Sequence, residues 1–208
     1  MKAEVSILDY GIGNVSAYLN IYEKMGISAT ACNSMQLLRQ AERVILPGVG
    51  SFDNAMRLLN ESGLRDELEN MAINLKVPFL GVCVGMHMLG NQSSEGIDKG
   101  LGWINFKSTK LLQPNTKILR LPHMGWNTVN LLKPKNPLFS SMHDPRFYFL
   151  HSFGVLDKTE ISIGTSVYGS KFSSIIRKDN IYGVQFHPEK SHSDGMKLLK
   201  NFSKMKKC

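Results

Sequence analysis

The chain has 208 residues and a formal net charge of +8; 42% of its residues are hydrophobic and 20% are charged. This composition excludes a disordered chain, and the length predicts a single domain over residues 1–208 with an ample core. No apolar run reaches the ~18 residues of a transmembrane helix, so we expect no membrane association.

The first half of the chain predicts alternating strands and helices. The predicted segments are strands at 4–9, 28–32, 43–46 and 77–82, and helices at 15–25, 53–60, 63–75 and after residue 83. Four strand-then-helix units within the first 90 residues predict an α/β fold, with a central, mostly parallel sheet flanked by helices. The turn at residues 11–14 lacks the third glycine of a dinucleotide fingerprint, because residue 16 is serine.

The sequence Pro-Gly-Val-Gly at residues 47–50 directly follows the third predicted strand. Such a loop holds unpaired backbone N–H groups in fixed positions, where they can stabilise an oxyanion. The alternative is an ordinary β-to-α turn.

The sequence Gly-Val-Cys-Val-Gly at residues 81–85 has the pattern of a nucleophile elbow. Small neighbours let the backbone turn sharply and present the middle side chain to a crevice. The helix that follows directs its positive end at the sulfur, which favours a thiolate. We interpret Cys83 as a nucleophile; the alternative is a buried, unreactive cysteine.

After Gly90 the pattern changes to short β-like runs joined by turns, which predict an antiparallel extension of the sheet rather than a second domain. These runs are residues 103–112, 126–132, 146–150, 161–168, 173–177 and 181–186. Residues 195–206 predict a closing helix with Met196, Leu199 and Phe202 facing inward.

The sequence His-Pro-Glu at residues 187–189 follows the last predicted strand. A thiol needs a base near neutral pH, which His187 can provide, and Glu189 can fix the tautomer of that histidine. More than a hundred residues separate Cys83 from His187, so only the fold can bring them together. The alternatives are a turn-capping histidine with a solvated glutamate, and a metal site at His187 and His192. The spacing disfavours a metal, because no further ligand is suitably placed.

The lysines cluster near the C-terminus, which favours a solvated basic helix over a nucleic-acid surface. A docking face for an acidic protein is the alternative reading of the same lysines. The three cysteines are irregularly spaced and the N-terminus has no signal-peptide layout. Both features predict a cytoplasmic protein without a disulfide framework.

The Pro-Gly-Val-Gly loop, the elbow and the His-Pro-Glu turn resemble, in this order along the chain, the motifs of class I glutamine amidotransferases, whose fold is flavodoxin-like. Three further segments resemble the glutaminase subunits of imidazole glycerol phosphate synthases. They are Pro-His-Met-Gly-Trp-Asn at 122–127, Tyr-Phe-Leu-His-Ser-Phe at 148–153 and Leu-Leu-Lys-Asn-Phe at 198–202. The first of these is the most specific, and the similarity runs nearly end to end.

The resemblance implies that Cys83 attacks the side-chain carboxamide of glutamine, releases ammonia and forms a γ-glutamyl thioester that water hydrolyses to glutamate. His187 would move the proton and Glu189 would orient His187. The backbone N–H groups of Val49 and Val84 would hold the oxyanion. Neither a metal nor another cofactor is implied.

The resemblance also implies two sets of contact residues. Glutamine would be bound at Gly48, Gly50, His87, Glu95, Ser152 and Phe153. A (β/α)8-barrel cyclase subunit would form a heterodimer with the chain and receive its ammonia, for imidazole glycerol phosphate formation in histidine biosynthesis. The face toward that partner would contain Asn14, Trp126, Tyr148 and Lys190.

Three positions depart from the usual pattern of the family: His87 replaces a glutamine, Val84 a leucine and Phe153 a tyrosine. These changes leave alternatives open. One is a paralogue that supplies ammonia for amidino sugars of surface polysaccharides, and another is a catalytically silent partner subunit. A stand-alone cysteine hydrolase is the third.

Overall fold

The computed structural model describes residues 3–111, 120–156 and 160–207. Cys208 and the last residue of the strand predicted at 103–112 lie outside these ranges. The strands are β1 Val5–Leu8, β2 Ala29–Cys32, β3 Val44–Leu46, β4 Phe79–Val82, β5 Gln92–Ser93, β6 Lys107–Lys110, β7 His123–Thr128, β8 Asn130–Leu131, β9 Arg146–His151, β10 Phe153–Gly154, β11 Ser162–Tyr168, β12 Ser170–Lys178 and β13 Ile181–Val184. The α-helices are α1 Val15–Lys24, α2 Met35–Leu38, α3 Phe52–Glu61, α4 Arg65–Glu69, α5 Val84–Met88 and α6 His192–Ser203.

The central sheet has the strand order β2-β1-β3-β4-β13-β12-β11-β8. Neighbours from β2 to β13 are parallel, whereas β12, β11 and β8 extend the sheet in antiparallel fashion. The inner strands β1, β3, β4 and β13 are buried along their whole length, as expected for strands covered on both faces. The predicted α/β fold with an antiparallel extension is confirmed.

The α-helices contact one another in pairs: α1 with α6, α3 with α5, and α2 with α4. Helix α1 contacts α6, where the hydroxyl of Tyr22 donates a hydrogen bond to the carbonyl of Leu199 at 3.2 Å. Helix α3 contacts α5, the short helix that follows β4. The C-terminal lysines of α6 and beyond are exposed, in agreement with a solvated basic helix.

Several element boundaries differ from the predicted ones. The segment predicted as one helix at 63–75 is divided into α4 and a π-helical turn, Asn70–Asn74. Residues 103–106 are not a strand, because the side chains of this apolar run fill the core from an irregular loop. Helix α6 begins at His192 rather than at 195, and Leu198 replaces Met196 in its fully buried face.

Short elements escaped prediction: helix α2 and the two-residue strands β5 and β10. Each offers only two to four residues, which is too few for a hydrophobic period to be recognised. The strands that do not belong to the central sheet form two small sheets, β10-β6-β5 and β7-β9. The β7-β9 pair places Trp126 opposite Tyr148.

The register between β4 and β13 places two distant parts of the chain side by side, at the carboxyl-terminal ends of these two strands. Phe79 pairs with Ile181 and Val82 with Val184, so the two parallel strands end level with each other. The N–H of Cys83 continues the pairing by donating to the carbonyl of Val184 at 2.8 Å. The loop after β3 opens at the same edge, since β3 pairs with β4 on the other side. Open α/β sheets bind ligands at this edge.

Gly85 provides a test of this packing. A Cβ atom at residue 85 would lie 2.1 Å from the carbonyl oxygen of Leu46, a backbone atom that cannot move aside. We therefore expect Gly85→Ala to lower the free energy of unfolding, measured by urea denaturation, by about 3 kcal/mol. The control is Gly154→Ala, whose Cβ would first meet a flexible Leu111 methyl at 3.3 Å. Equal stability of the two variants would contradict this account of the elbow.

Candidate active site

Cys83 occupies the sharp turn between β4 and α5. Its backbone has φ 54° and ψ −111°, a conformation that is costly for a side chain larger than glycine. Glycine is required on both sides, since a Cβ at residue 81 would lie 2.6 Å from the carbonyl oxygen of Gly85. The turn presents the sulfur at the sheet edge, where its side chain remains largely buried.

His187 and Glu189 lie beside Cys83, on the turn that follows β13. The Nδ1 atom of His187 is 2.8 Å from Oε1 of Glu189, which leaves Nε2 for the sulfur. Burial opposes a charge on the imidazole. Hydrogen bonds to the Cys83 and Glu189 side chains, with their negative charges, outweigh burial and raise the pKa of His187 well above its ordinary value. The structure thus brings the three predicted catalytic side chains into one cluster, with His187 and Glu189 joined by a hydrogen bond and Cys83 beside His187 in the lining of one cavity.

Tyr18 also belongs to this cluster, and the sequence did not predict this role for it. Its hydroxyl donates to Oε2 of Glu189 at 2.8 Å, so both oxygens of the carboxylate are held. Burial, followed by the charge of Glu189, raises the pKa of Tyr18, and the phenol stays neutral as a donor. The only sequence signal was its place on the inward face of α1 with Tyr22, which indicates core packing and no particular partner.

A cavity of about 150 Å³ opens above Cys83 and His187. Its other lining residues are Val49, Gly50, Val84, His87, Glu95, Leu150, His151, Ser152, Phe153 and Lys190. Of the six residues predicted to bind glutamine, only Gly48 is absent from this lining. Gly48 is buried against α5 instead, where a Cβ would lie 2.3 Å from the backbone nitrogen of Gly85. Its smallness serves helix packing beneath the cavity.

Glu95 supplies a carboxylate to the cavity wall. Its Oε2 atom accepts a hydrogen bond from the N–H of Phe52 at 3.1 Å. The pKa of Glu95 is raised. Burial is the main cause and the nearby charge of Asp53 adds to it, while the hydrogen bond from the Phe52 N–H acts in the opposite direction. Asp53 also accepts the N–H groups of Ile97 and Asp98, both at 3.1 Å, and so fixes the loop that carries Glu95.

His87 is a neutral, oriented group in the cavity wall. Burial lowers its pKa to about 4, despite a hydrogen bond to Gln185 that raises it. The Nε2 atom lies 2.8 Å from Oε1 of Gln185, and because an amide oxygen only accepts, we assign the ring proton to Nε2. The Nδ1 atom is buried without a protein partner and is therefore a bare acceptor.

Two further histidines form a buried chain behind the cavity. His151 Nδ1 lies 2.8 Å from the carbonyl of Phe153, His123 Nδ1 lies 3.0 Å from His151 Nε2, and the amide of Asn127 lies 3.4 Å from His123 Nε2. A carbonyl only accepts and an amide nitrogen only donates, so each proton position in the chain is determined. Burial lowers the pKa of His151 to about 3 and that of His123 to about 4.

Three of the four predicted partner residues form one surface patch next to the catalytic turn. The rings of Trp126 and Tyr148 are 6.3 Å apart, and Nζ of Lys190 lies 6.0 Å from the Tyr148 ring centre. Trp126 is 42% exposed despite its size. Asn14 is exposed and caps α1 by accepting the N–H of Ala17 at 3.2 Å; the same helix contacts the catalytic turn.

The alternative of a metal at His187 and His192 finds no support in the described ranges. His192 packs its ring against Trp126 at 5.2 Å between centroids. Within residues 3–111, 120–156 and 160–207, no three His, Cys, Asp or Glu side chains are grouped as a metal site requires.

The helices described in the same ranges are all too short or too polar to cross a membrane.

The sequence matches the family described as glutamine amidotransferase class-I over residues 6–205. Curated relatives include the imidazole glycerol phosphate synthase subunit HisH 2 of Methanococcus maripaludis, which is 48% identical, with 96% of this chain and 98% of the relative aligned. Subunit HisH of Bdellovibrio bacteriovorus is 46% identical, with 97% of this chain and 100% of that protein aligned.

Solved structures share the fold at lower identity. A crystal structure of a glutamine amidotransferase superposes with a TM-score of 0.74 at 17% identity, covering 96% of this chain and 97% of its own. The structure of PurLQS from Thermotoga maritima gives a TM-score of 0.72 at 18% identity, covering 97% of this chain and 98% of its own. At these identities the likeness concerns the fold alone.

Proposed function

The chain belongs to the class I glutamine amidotransferases, and we propose that it is the glutaminase subunit of an imidazole glycerol phosphate synthase. The observation that carries this proposal is the cluster of Cys83, His187 and Glu189 at the ends of two neighbouring parallel strands, beneath a cavity. The free cysteines Cys32 and Cys83 fit a cytoplasmic enzyme.

The proposed reaction begins with attack of the Cys83 sulfur on the carboxamide carbon of glutamine. The carbonyl oxygen becomes an oxyanion, which accepts hydrogen bonds from the N–H groups of Val49 and Val84. His187 gives its proton to the amide nitrogen, the C–N bond breaks and ammonia leaves a γ-glutamyl thioester. Water then attacks the thioester, His187 takes a proton from it, and the C–S bond breaks to give glutamate.

Polar groups in the cavity wall support recognition of glutamine. The carboxylate of Glu95 pairs with the α-ammonium group, and the backbone at Ser152 and Phe153 binds the α-carboxylate. His87 lines the same cavity, where its ring is held by Gln185. A neutral imidazole contacts the substrate without adding a charge to the cavity.

The patch of Trp126, Tyr148 and Lys190 is the proposed face for a (β/α)8-barrel cyclase subunit, joined as a heterodimer. An exposed tryptophan packed on a tyrosine makes a suitable interface anchor. Lys190 belongs both to this patch and to the cavity lining, so the partner would cover the exit through which ammonia passes into the barrel.

The test is the glutaminase rate of the purified chain, alone and with the cyclase subunit and its ligand. We expect slow turnover alone and a large rise in the complex, and Trp126→Ala is expected to weaken the complex by roughly 30-fold. Leu75→Ala is the matched control, because Leu75 is an exposed apolar residue that precedes β4 at the other end of the strand. A rate that does not respond to the cyclase subunit would overturn the proposed coupling.

A paralogue that feeds amidino-sugar synthesis would share the chemistry and differ in the acceptor of ammonia. The changes at His87, Val84 and Phe153 are what favour it. Complementation of a histidine auxotroph separates the two, since only the histidine-pathway subunit restores growth. A silent subunit would fail to react with a glutamine-analogue electrophile at Cys83, whereas a stand-alone hydrolase would need no partner for full turnover.

A further inference from the structure

Gln185 lies between two members of the site and has no role in the steps above. Its side chain is fully buried, and its backbone N–H donates to the carbonyl of Ser174 at 2.9 Å. The Oε1 atom meets His87 at 2.8 Å, and the Nε2 atom lies 3.9 Å from the sulfur of Cys83. A buried amide with both ends engaged is held in one orientation.

We propose that Gln185 is a positioning residue that directs an amide N–H at the Cys83 sulfur and stabilises the thiolate, with the His87 ring holding the amide oxygen. The inference rests on the proposed role of Cys83 as nucleophile. It concerns the state of the sulfur before glutamine arrives.

The sheet register places Gln185 at this point. Val184 pairs with Val82, so the residue after each of these, Gln185 and Cys83, emerges at the same level from neighbouring strands. Gln185 directly follows β13, and its N–H still donates to Ser174 of the neighbouring strand β12 at 2.9 Å, so its backbone is held to the sheet. Its distance from the sulfur is set by the spacing of two hydrogen-bonded strands.

The structure places the amide oxygen toward His87 and the NH₂ group toward Cys83. In this orientation the His87 ring donates its Nε2 proton to Oε1 and holds the amide. The reversed amide would place its oxygen against the sulfur, where it would repel a thiolate. The burial of His87 keeps the ring neutral at physiological pH, so the ring adds no charge beside the sulfur.

A second contact explains why such a donor is useful. The sulfur also lies 3.8 Å from the carbonyl oxygen of Leu150, which can accept the thiol proton but repels a thiolate. The amide N–H of Gln185 offsets the repulsion between this carbonyl and a thiolate. It adds to the stabilisation that the charge of His187 gives the thiolate. The ionisable groups that face the sulfur or its immediate partners are Tyr18 of α1, His87 of α5, Glu95, His151 of β9, His187, Glu189 and Lys190.

The test is the rate at which iodoacetamide alkylates Cys83 in the purified chain, followed by mass spectrometry of the peptide that contains Cys83. The thiolate is the reacting form, so the rate reports its stability without glutamine or a partner. We expect Gln185→Leu and Gln185→Met, which lack the donor, to react about tenfold more slowly at pH 7 and to reach half-maximal labelling at higher pH. Two variants are used so that poor folding of one does not remove the test.

The role of His87 is tested by His87→Phe, alone and combined with Gln185→Leu. If the ring acts through the amide, His87→Phe slows alkylation, and the double variant is no slower than Gln185→Leu. Ser174→Ala is the matched control, since it removes a buried hydroxyl beside Gln185 that bonds Ser166 and not the sulfur. It is expected to leave the alkylation rate unchanged.

Unchanged rates and pH profiles in folded Gln185→Leu or Gln185→Met would overturn the inference. Equal slowing by Ser174→Ala would also overturn it, since general disturbance of the strand would then be the cause. A wild-type chain that alkylates normally but never releases ammonia from glutamine would count against the proposed function instead, so the two failures are distinguishable.

Discussion

Replacing Cys83 with alanine is expected to lower glutaminase turnover in the complex by a factor on the order of 10⁴ or more. The variant retains the cavity and the hydrogen-bond donors around it, but no atom remains that can form the thioester. Glutamine binding is expected to persist, because the polar groups in the wall are untouched. Ammonia release in a coupled assay measures turnover, and calorimetric titration measures binding.

The matched control is Cys32→Ala. Cys32 is also a buried free thiol, but it lies at the end of β2 and contacts the carbonyl of Ser34 at 3.8 Å. Burial raises its pKa to about 11, so it is poorly suited to act as a nucleophile. Turnover within tenfold of wild type in Cys83→Ala would remove the sulfur from the proposed reaction.

Replacing His187 with asparagine is expected to lower turnover by about 10³- to 10⁴-fold. Asparagine keeps a hydrogen-bonding group but cannot carry a proton from the thiol to the departing ammonia. The largest loss should occur in kcat rather than KM, because the imidazole acts on reacting atoms. Steady-state kinetics with saturating cyclase ligand separates these two constants.

Glu189→Gln is the graded comparison for the histidine. The carboxylate is one cause of the raised pKa of His187, so its loss moves that pKa downward. The imidazolium is then lost at lower pH, and the alkaline limb of the pH profile of kcat should shift to lower pH. A profile identical to that of the wild type would mean that Glu189 does not set the charge of His187.

The centre of the parallel sheet was predictable because β3 and β4 lie in continuous apolar runs next to proline. The sequence predicts buried strands at residues 77–82 and 181–186, and each segment is followed by a motif with recognisable chemistry. That these two strands are neighbours could not be read from periodicity, because pairing depends on the whole topology. The resemblance to a family supplied that step.

Other parts of the site left no local signal. Tyr18 holds Glu189 across a sequence separation of 171, yet its place on α1 indicates only burial. Gln185 reads as one residue of an apolar strand end. Gly48 reads as a substrate-binding glycine, but the approach of α5 is what requires it to lack a side chain. Contacts of this kind arise from packing between elements, which spacing in one sequence does not encode.

The position of β13 has a consequence for how the protein is made. This last strand of the chain lies inside the sheet, between β4 and β12, rather than at an edge. When only the residues up to 180 have emerged from the ribosome, β4 lacks its partner strand on one side. No imidazole then lies opposite the Cys83 sulfur. The enzyme therefore gains its complete sheet and its reactive pair in a single late event of synthesis, and shortened products lack both.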